Sequence, residues 1–251
     1  MGLLRHVDSS DRLLSGRKAI VLGGSGGIGR HVSGQLAEAG AHVVIHGGQS
    51  KEKLSDYLSE LHRKGLSAEG FLQGVRHADE LLDSVRKRMP FDIVVVAFGP
   101  LLQKPLSETT YAEWRRIVEL NLTLPGAIVS LTAPEMAERG WGRIVLFGGT
   151  QTDQIRGFRT LAAYSAAKTG IGSLVRSAAK EFGDRGVAIN AVAPGYVETE
   201  YLSPRTVRHL AMRSPDKTLI PPSSLARFVL NLVTQRSTIV NGAVIPMDKG
   251  L

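Results

Sequence analysis

Tyr164 and Lys168 stand four residues apart in Ala163-Tyr164-Ser165-Ala166-Ala167-Lys168. That is one helical turn, so the phenol and the ammonium project from one face. A tyrosine with its reference pKa of about 10 is a poor acid or base at neutral pH. A cation one turn away favours the phenolate and draws that pKa toward the working range. The chemistry expected of the pair is therefore proton transfer by Tyr164. The same spacing also suits a plain amphipathic helix with a solvated lysine, so the rest of the chain must decide.

Near the other end, Lys18-Ala19-Ile20-Val21-Leu22 reads as a short apolar strand. It runs into Gly23-Gly24-Ser25-Gly26-Gly27-Ile28-Gly29 and then a helical stretch from Arg30 to Ala39, closed by Gly40. Strand, glycine turn and helix are the context that turns a glycine-rich string into a phosphate site. Glycines admit a pyrophosphate close to the backbone, and the helix N-terminus offers unpaired N–H groups and a positive dipole end. A second strand, His42 to His46, follows at once and completes a βαβ unit.

Together these features resemble the short-chain dehydrogenase/reductase family, including its 3-oxoacyl-acyl-carrier-protein reductase-like members, from about Arg17 to Leu251. Leu22-Gly23 through Gly27-Ile28-Gly29 is similar to the family's Thr-Gly-x-x-x-Gly-Ile-Gly loop, with Leu22 where Thr is usual. Asn121 matches its helix asparagine, and Tyr164 and Lys168 its catalytic pair. Pro194-Gly195 with Thr199 matches its Pro-Gly-x-x-x-Thr segment, and Ile245-Pro246-Met247-Asp248 its last strand end. The fold implied is α/β, one Rossmann-type, doubly wound parallel sheet with helices on both faces, as a single domain over 1–251. The cofactor-binding residues implied are Gly23, Ser25, Gly27, Ile28, Gly29, Gly99, Tyr164, Lys168, Pro194, Gly195, Val197 and Thr199.

The activity implied is reversible reduction of a carbonyl by hydride transfer. Tyr164 exchanges the proton, Lys168 lowers its pKa and binds the nicotinamide ribose, and Asn121 bends its helix so that a freed carbonyl holds a proton-relaying water. The substrate oxygen is usually bound by a Ser, yet Gly148-Gly149 stands where the family has Ser-Ser. Thr150 has the same donor and acceptor inventory and is the candidate surrogate, Thr152 a second. Both threonines could equally cap the turn. Gly74-Val75 and Val96-Ala97-Phe98-Gly99 also depart from the usual Asp-Val and Asn-Asn-Ala-Gly. These departures keep a second reading open, a catalytically weak or inactive nucleotide-binding scaffold or regulatory protein.

An acid at the end of the second strand would bond the adenosine ribose and repel a 2′-phosphate. Here the strand ends His46-Gly47-Gly48-Gln49-Ser50-Lys51, without one. Arg30, Lys51 and more remotely Arg17 could supply positive charge, so NADP is expected over NAD.

At 251 residues and 43% hydrophobic content the chain fits one α/β domain with a substantial core. There is no Cys, hence no disulfide or thiol chemistry. Met1 to Ser15 reads as neither a signal nor a transit peptide, His6 argues against myristoylation, and no stretch reads as a membrane span. The cytoplasm is the expected location, and no metal site is expected. Apolar runs such as Ile93-Val94-Val95-Val96-Ala97 suit strands covered on both faces. Further helices are expected near Lys51 to Lys64, His77 to Arg88, Tyr111 to Glu138, Ala162 to Phe182 and Ser223 to Gln235. Further strands are expected at Ala68 to Gln73, Asp92 to Phe98, Arg143 to Phe147, Ala188 to Val192 and Val240 to Pro246, with a basic loop to about Ile220.

The net charge of +8, with Arg205, Arg208, His209, Arg213 and Lys217 after Thr199, suggests anionic ligands. NADP phosphates are one, and an acyl thioester another, a 3-oxoacyl thioester being the specific expectation. The cations are dispersed and match no nucleic-acid-binding motif. From the family's habit, the two long helices would form a homotetramer or dimer.

Overall fold

The alternation of apolar strands and amphipathic helices along the chain closes into one sheet. The computed structural model describes residues 12–75 and 78–251. The strands are β1 (Lys18–Leu22), β2 (His42–Gly47), β3 (Ala68–Leu72), β4 (Ile93–Val96), β5 (Gly142–Phe147), β6 (Val187–Pro194) and β7 (Val244–Met247). They pair in parallel in the order β3-β2-β1-β4-β5-β6-β7. The chain winds outward one way from β1 and the other way from β4, which makes the β1/β4 boundary the switch point where such sheets open a ligand crevice.

Alternation within the strands fills both faces. Ile20 and Leu22 of β1 point to one layer, made with α4 (Tyr111–Val118), α5 (Leu124–Glu138) and α6 (Ala162–Phe182); Leu120, Leu124, Ile128, Ile171 and Val175 lie there. Ala19 and Val21 point to the other, made with α1 (Gly27–Glu38), α2 (Lys51–Arg63) and α8 (Pro222–Val233); Val32, Leu36, Leu54, Leu225 and Val229 fill it. Burying each large aliphatic side chain contributes about 1.5–3 kcal/mol. The doubly wound reading is thus realised, and α3 (Ala78–Arg86) completes the helices of the first layer.

Four details differ from the sequence reading. The basic stretch after Thr199 is not all loop: Ser203 caps Thr206 N–H and Pro204 starts α7 (Pro204–Arg213). The long helix Tyr111 to Glu138 is broken by a π-helical turn, Glu119–Thr123. β7 starts at Val244 rather than Val240, after a turn at Gly242 with φ of 72°. By length and composition the Tyr111–Glu138 stretch could cross a membrane, with a mean hydropathy of 1.3, although half of that apolar window is buried inside this fold. Its apolar residues are the ones that cover the sheet. Most of the Met1 to Ser15 segment, and His77 at the expected start of α3, lie outside the described residues.

Candidate active site

The glycine turn sits at the carboxyl end of β1, beside the switch point. A cleft of about 380 Å³ opens there, lined by Gly23, Ser25, Gly27, Ile28, His46, Phe98, Gly99 and Thr199, among others. It gathers six of the residues expected at the cofactor. Gly29 belongs to the first turn of α1, behind this lining. Pro194 ends β6, Gly195 N–H bonds Met247 O at 3.0 Å, and Val197 bridges Ile220. They carry the chain toward Thr199 without lining the cleft.

His46 is a cleft residue that sequence reasoning passed over, although its place at the end of β2 was in view. It is buried against Phe71 and Phe98, with ring centroids 5.3 and 6.1 Å away. Its Nδ1 accepts from Gly23 N–H at 3.2 Å, and Nε2–H donates to Gln73 O at 2.8 Å. Desolvation by burial lowers the His46 pKa against the opposing pull of Gln73. The neutral ring therefore holds the glycine turn. A group neutral when folded and titrating near 6.5 when unfolded contributes stability above that pH and loses it as pH falls. The drop in Tm between pH 7.5 and pH 5.5 should accordingly be smaller in His46→Asn than in the parent; an equal drop would show that another group sets it.

The cations expected to read a 2′-phosphate divide. Arg30 is bonded to Glu60 at 2.5 Å and stacked 4.2 Å over Tyr57, in a separate groove between α1 and α2. Arg17 pairs with Asp92 at 3.3 Å, at the opposite end of the strands. Lys51 opens α2 a few residues after β2 and is exposed.

Asn121 lies inside the π-helical turn, where Leu124 N–H reaches Glu119 O. The local sequence explains it. In a regular helix Asn121 C=O would accept from residue 125, but Pro125 has no N–H. The Asn121 amide donates to Ile117 O and Pro100 O, both at 3.0 Å. Its Oδ1 is buried and, among the described residues, accepts no hydrogen bond. Gly99 presses against this group: a Cβ there would collide with Asn121 Oδ1 and lie 3.2 Å from Lys168 Nζ.

Lys168 is buried and donates to Phe147 O at 2.7 Å, with Nζ 6.0 Å from the Tyr164 ring centroid. Burial lowers its pKa to about 8 and raises that of Tyr164 to about 12. The expected depression of the tyrosine by its lysine is not realised in the protein alone, because desolvation of the phenol outweighs a cation held on a backbone carbonyl. The Tyr164 phenol is thus protonated at neutral pH.

Tyr164 also lines a second cavity, of about 320 Å³, with Leu101, Gln103, Thr150, Phe158, Leu161 and Arg213 among its walls. Thr150 Oγ1 lies there and donates to Pro194 O at 3.2 Å. Thr152 Oγ1 is buried, accepts from Gly149 N–H at 2.8 Å and donates to Gly149 O at 3.0 Å, which makes it the cap of the turn. Gly149 is small for a reason: a Cβ would stand 2.9 Å from Tyr164 Cε1 and 3.0 Å from its hydroxyl. The walls contributed by Leu101, Gln103 and Phe158 come from loops whose positions no periodicity announces.

The cleft at the switch point, to whose edge Gly23, Gly26 and Gly27 add no side chain of their own, and the orphaned Asn121 Oδ1 fit a dinucleotide bound beside Tyr164 and Lys168. Fold and site define a Rossmann-type, dinucleotide-dependent oxidoreductase. The sequence profile of the short chain dehydrogenase family matches residues 17–208, and the chain belongs to that family. It is similar to cis-4-hydroxycyclohexanecarboxylate dehydrogenase of Sinomonas cyclohexanicum, 33% identical over 93% of this chain and 96% of that one. It is also similar to gluconate 5-dehydrogenase of Gluconobacter oxydans, 31% identical over 95% of each. Among solved structures, a variant of actinorhodin polyketide ketoreductase with NADPH matches at 29% identity and a TM-score of 0.84, covering 94% of this chain and 97% of that one. The protein is an NAD(P)-dependent dehydrogenase/reductase of this family.

Proposed function

We propose that the protein reduces a carbonyl to a hydroxyl, reversibly, with NADP(H), and that Tyr164 is its general acid and base. The observation that carries this reading is the placement of Tyr164 and Lys168 between the two cavities. Lys168 packs behind Gly99 at the cofactor cleft, while the Tyr164 phenol faces the second cavity. When bound, the nicotinamide supplies hydride to the carbonyl carbon. Tyr164 gives its proton to the carbonyl oxygen, and Thr150 hydrogen-bonds that oxygen after turning from Pro194 O. Lys168 holds a positive charge near the phenolate and binds the nicotinamide ribose. Asn121, in its π-turn, positions a water for proton return to Lys168. Gly23, Ser25, Gly27, Ile28 and Gly29 would hold the pyrophosphate side, and Thr199 the nicotinamide side.

NADP is favoured over NAD by the acid-free end of β2 and by Lys51. The substrate is proposed to be anionic. Among the residues lining the Tyr164 cavity, Arg213 carries the one charge. A 3-oxoacyl thioester is one such substrate. A compact hydroxy- or oxo-carboxylate is favoured by a cation standing in the cavity wall, and both named relatives carry a carboxylate in the substrate of their names. A cytoplasmic homotetramer or dimer built on the long helices is the assembly we propose.

Titration with NADPH and NADH, followed by nicotinamide fluorescence, tests the cofactor; carbonyl-dependent NADPH oxidation over a panel of oxo acids, their esters and acyl thioesters tests the reaction. NADPH should bind more tightly than NADH, and an oxo acid should outrun its ester. NADPH bound without turnover of any carbonyl would return the protein to a nucleotide-binding scaffold.

A further inference from the structure

The segment that follows β6 reaches back over the glycine turn. Helix α1 has no means of capping itself: Gly26 at its N-cap makes no side-chain bond, and its first turn holds no acid. The missing acceptor comes from the far end of the chain. Gly27 N–H donates to Glu200 Oε1 at 2.9 Å and to Oε2 at 3.2 Å. Tyr201 lies over the same turn, and its hydroxyl occupies the space that a side chain at Gly26 would need. The Lys53 ammonium stands 5.3 Å over the Tyr201 ring, and Thr199 and Tyr201 both line the cofactor cleft. Burial works against the charge on Glu200, but the Gly27 N–H, its own backbone and Tyr201 hold its pKa below the ordinary range.

The N-terminus of α1 is where a dinucleotide's pyrophosphate is received, by unpaired N–H groups and the positive end of the helix. A carboxylate is a smaller anion making the same bond. Two anions cannot share that donor. We infer that Glu200 and Tyr201, just beyond Thr199, form a displaceable strap, in which Glu200 occupies the pyrophosphate seat of the free protein and leaves when the dinucleotide binds. The inference rests on the cofactor reading given above. Glu200 and Tyr201 are both exposed, and neither belongs to the hydrophobic core. Release therefore forfeits one charge-assisted bond pair and leaves the hydrophobic core intact.

The strap makes Glu200 a brake on cofactor affinity. Glu200→Ala should lower the NADPH Kd about tenfold, since the competing bond is of the charge-assisted kind. Glu200→Gln, which keeps a neutral acceptor, should fall between. Adenosine has no phosphate to compete and should bind all three proteins equally. Amide hydrogen exchange in the cofactor-free protein reads the contact itself: the peptide covering Gly23–Gly29 should exchange faster in Glu200→Ala, and NADPH should restore its protection. Unchanged or weaker NADPH binding by Glu200→Ala would overturn the inference, as would unchanged exchange. Faster exchange with no NADPH binding to any of the three proteins would overturn the cofactor reading and the displacement with it, leaving Glu200 a helix cap alone.

Discussion

Tyr164→Phe should lose carbonyl reduction by about a thousandfold or more, within the range a positioned proton donor contributes, and still bind NADPH. Phe keeps the ring and therefore the packing at Gly149, where the Tyr164 side chain fills the space against the strand end. Only the hydroxyl is removed. The burial-raised pKa, about 12, keeps that hydroxyl protonated through the physiological range, which suits the reductive direction. Rapid single-turnover measurement of NADPH oxidation, beside an NADPH titration of the same variant, separates chemistry from binding. A variant that keeps its turnover would remove Tyr164 from the reaction and leave the fold and the cleft untouched.

Gly99→Ala should damage both stability and turnover. The new Cβ would run into Asn121 Oδ1 and stand 3.2 Å from Lys168 Nζ. Asn121 cannot retreat easily, because its amide is tied to Ile117 O and Pro100 O and its backbone lies in the π-turn. Overpacking a tight interior costs about 1–3 kcal/mol, and each kcal/mol shifts Tm by roughly 2–4 °C in a protein of this size. The loss of turnover should exceed what the Tm shift accounts for, since the displaced groups are Asn121 and Lys168. Thermal unfolding and NADPH oxidation measured together check this. A variant that stays active at unchanged Tm would show that the turn yields freely.

Much of this was legible in the chain because it depends on local order. The run Lys18–Leu22 followed by glycines placed the turn at a strand end, and Ala162–Phe182 is the helix that its periodicity describes. The bend at Asn121 came from the family resemblance, and Pro125 four residues on is its local cause, though neither gave the π form. What stayed hidden depends on groups far apart in sequence. That Arg30 is spent on Glu60, that burial overrides the pull of Lys168 on Tyr164, and that Glu200 meets Gly27 are facts of packing. The short helix α7 was obscured by its charge, although Ser203-Pro204 is a good start signal.

The close fit of Gly149 against Tyr164 bears on ancestry. The resemblance places a serine at this position, yet a Cβ here would stand 2.9 Å from Tyr164 Cε1 and 3.0 Å from its hydroxyl. The two sites are therefore coupled, and the order of replacement matters. A chain that took a serine here first would press on its proposed proton donor, and so pass through a poorer catalyst before the tyrosine resettled. Thr152 ties the turn that follows shut at Gly149, which limits how far the loop can give way. Glycine at 149 and the seat of the Tyr164 ring thus change together or at a cost to one of them.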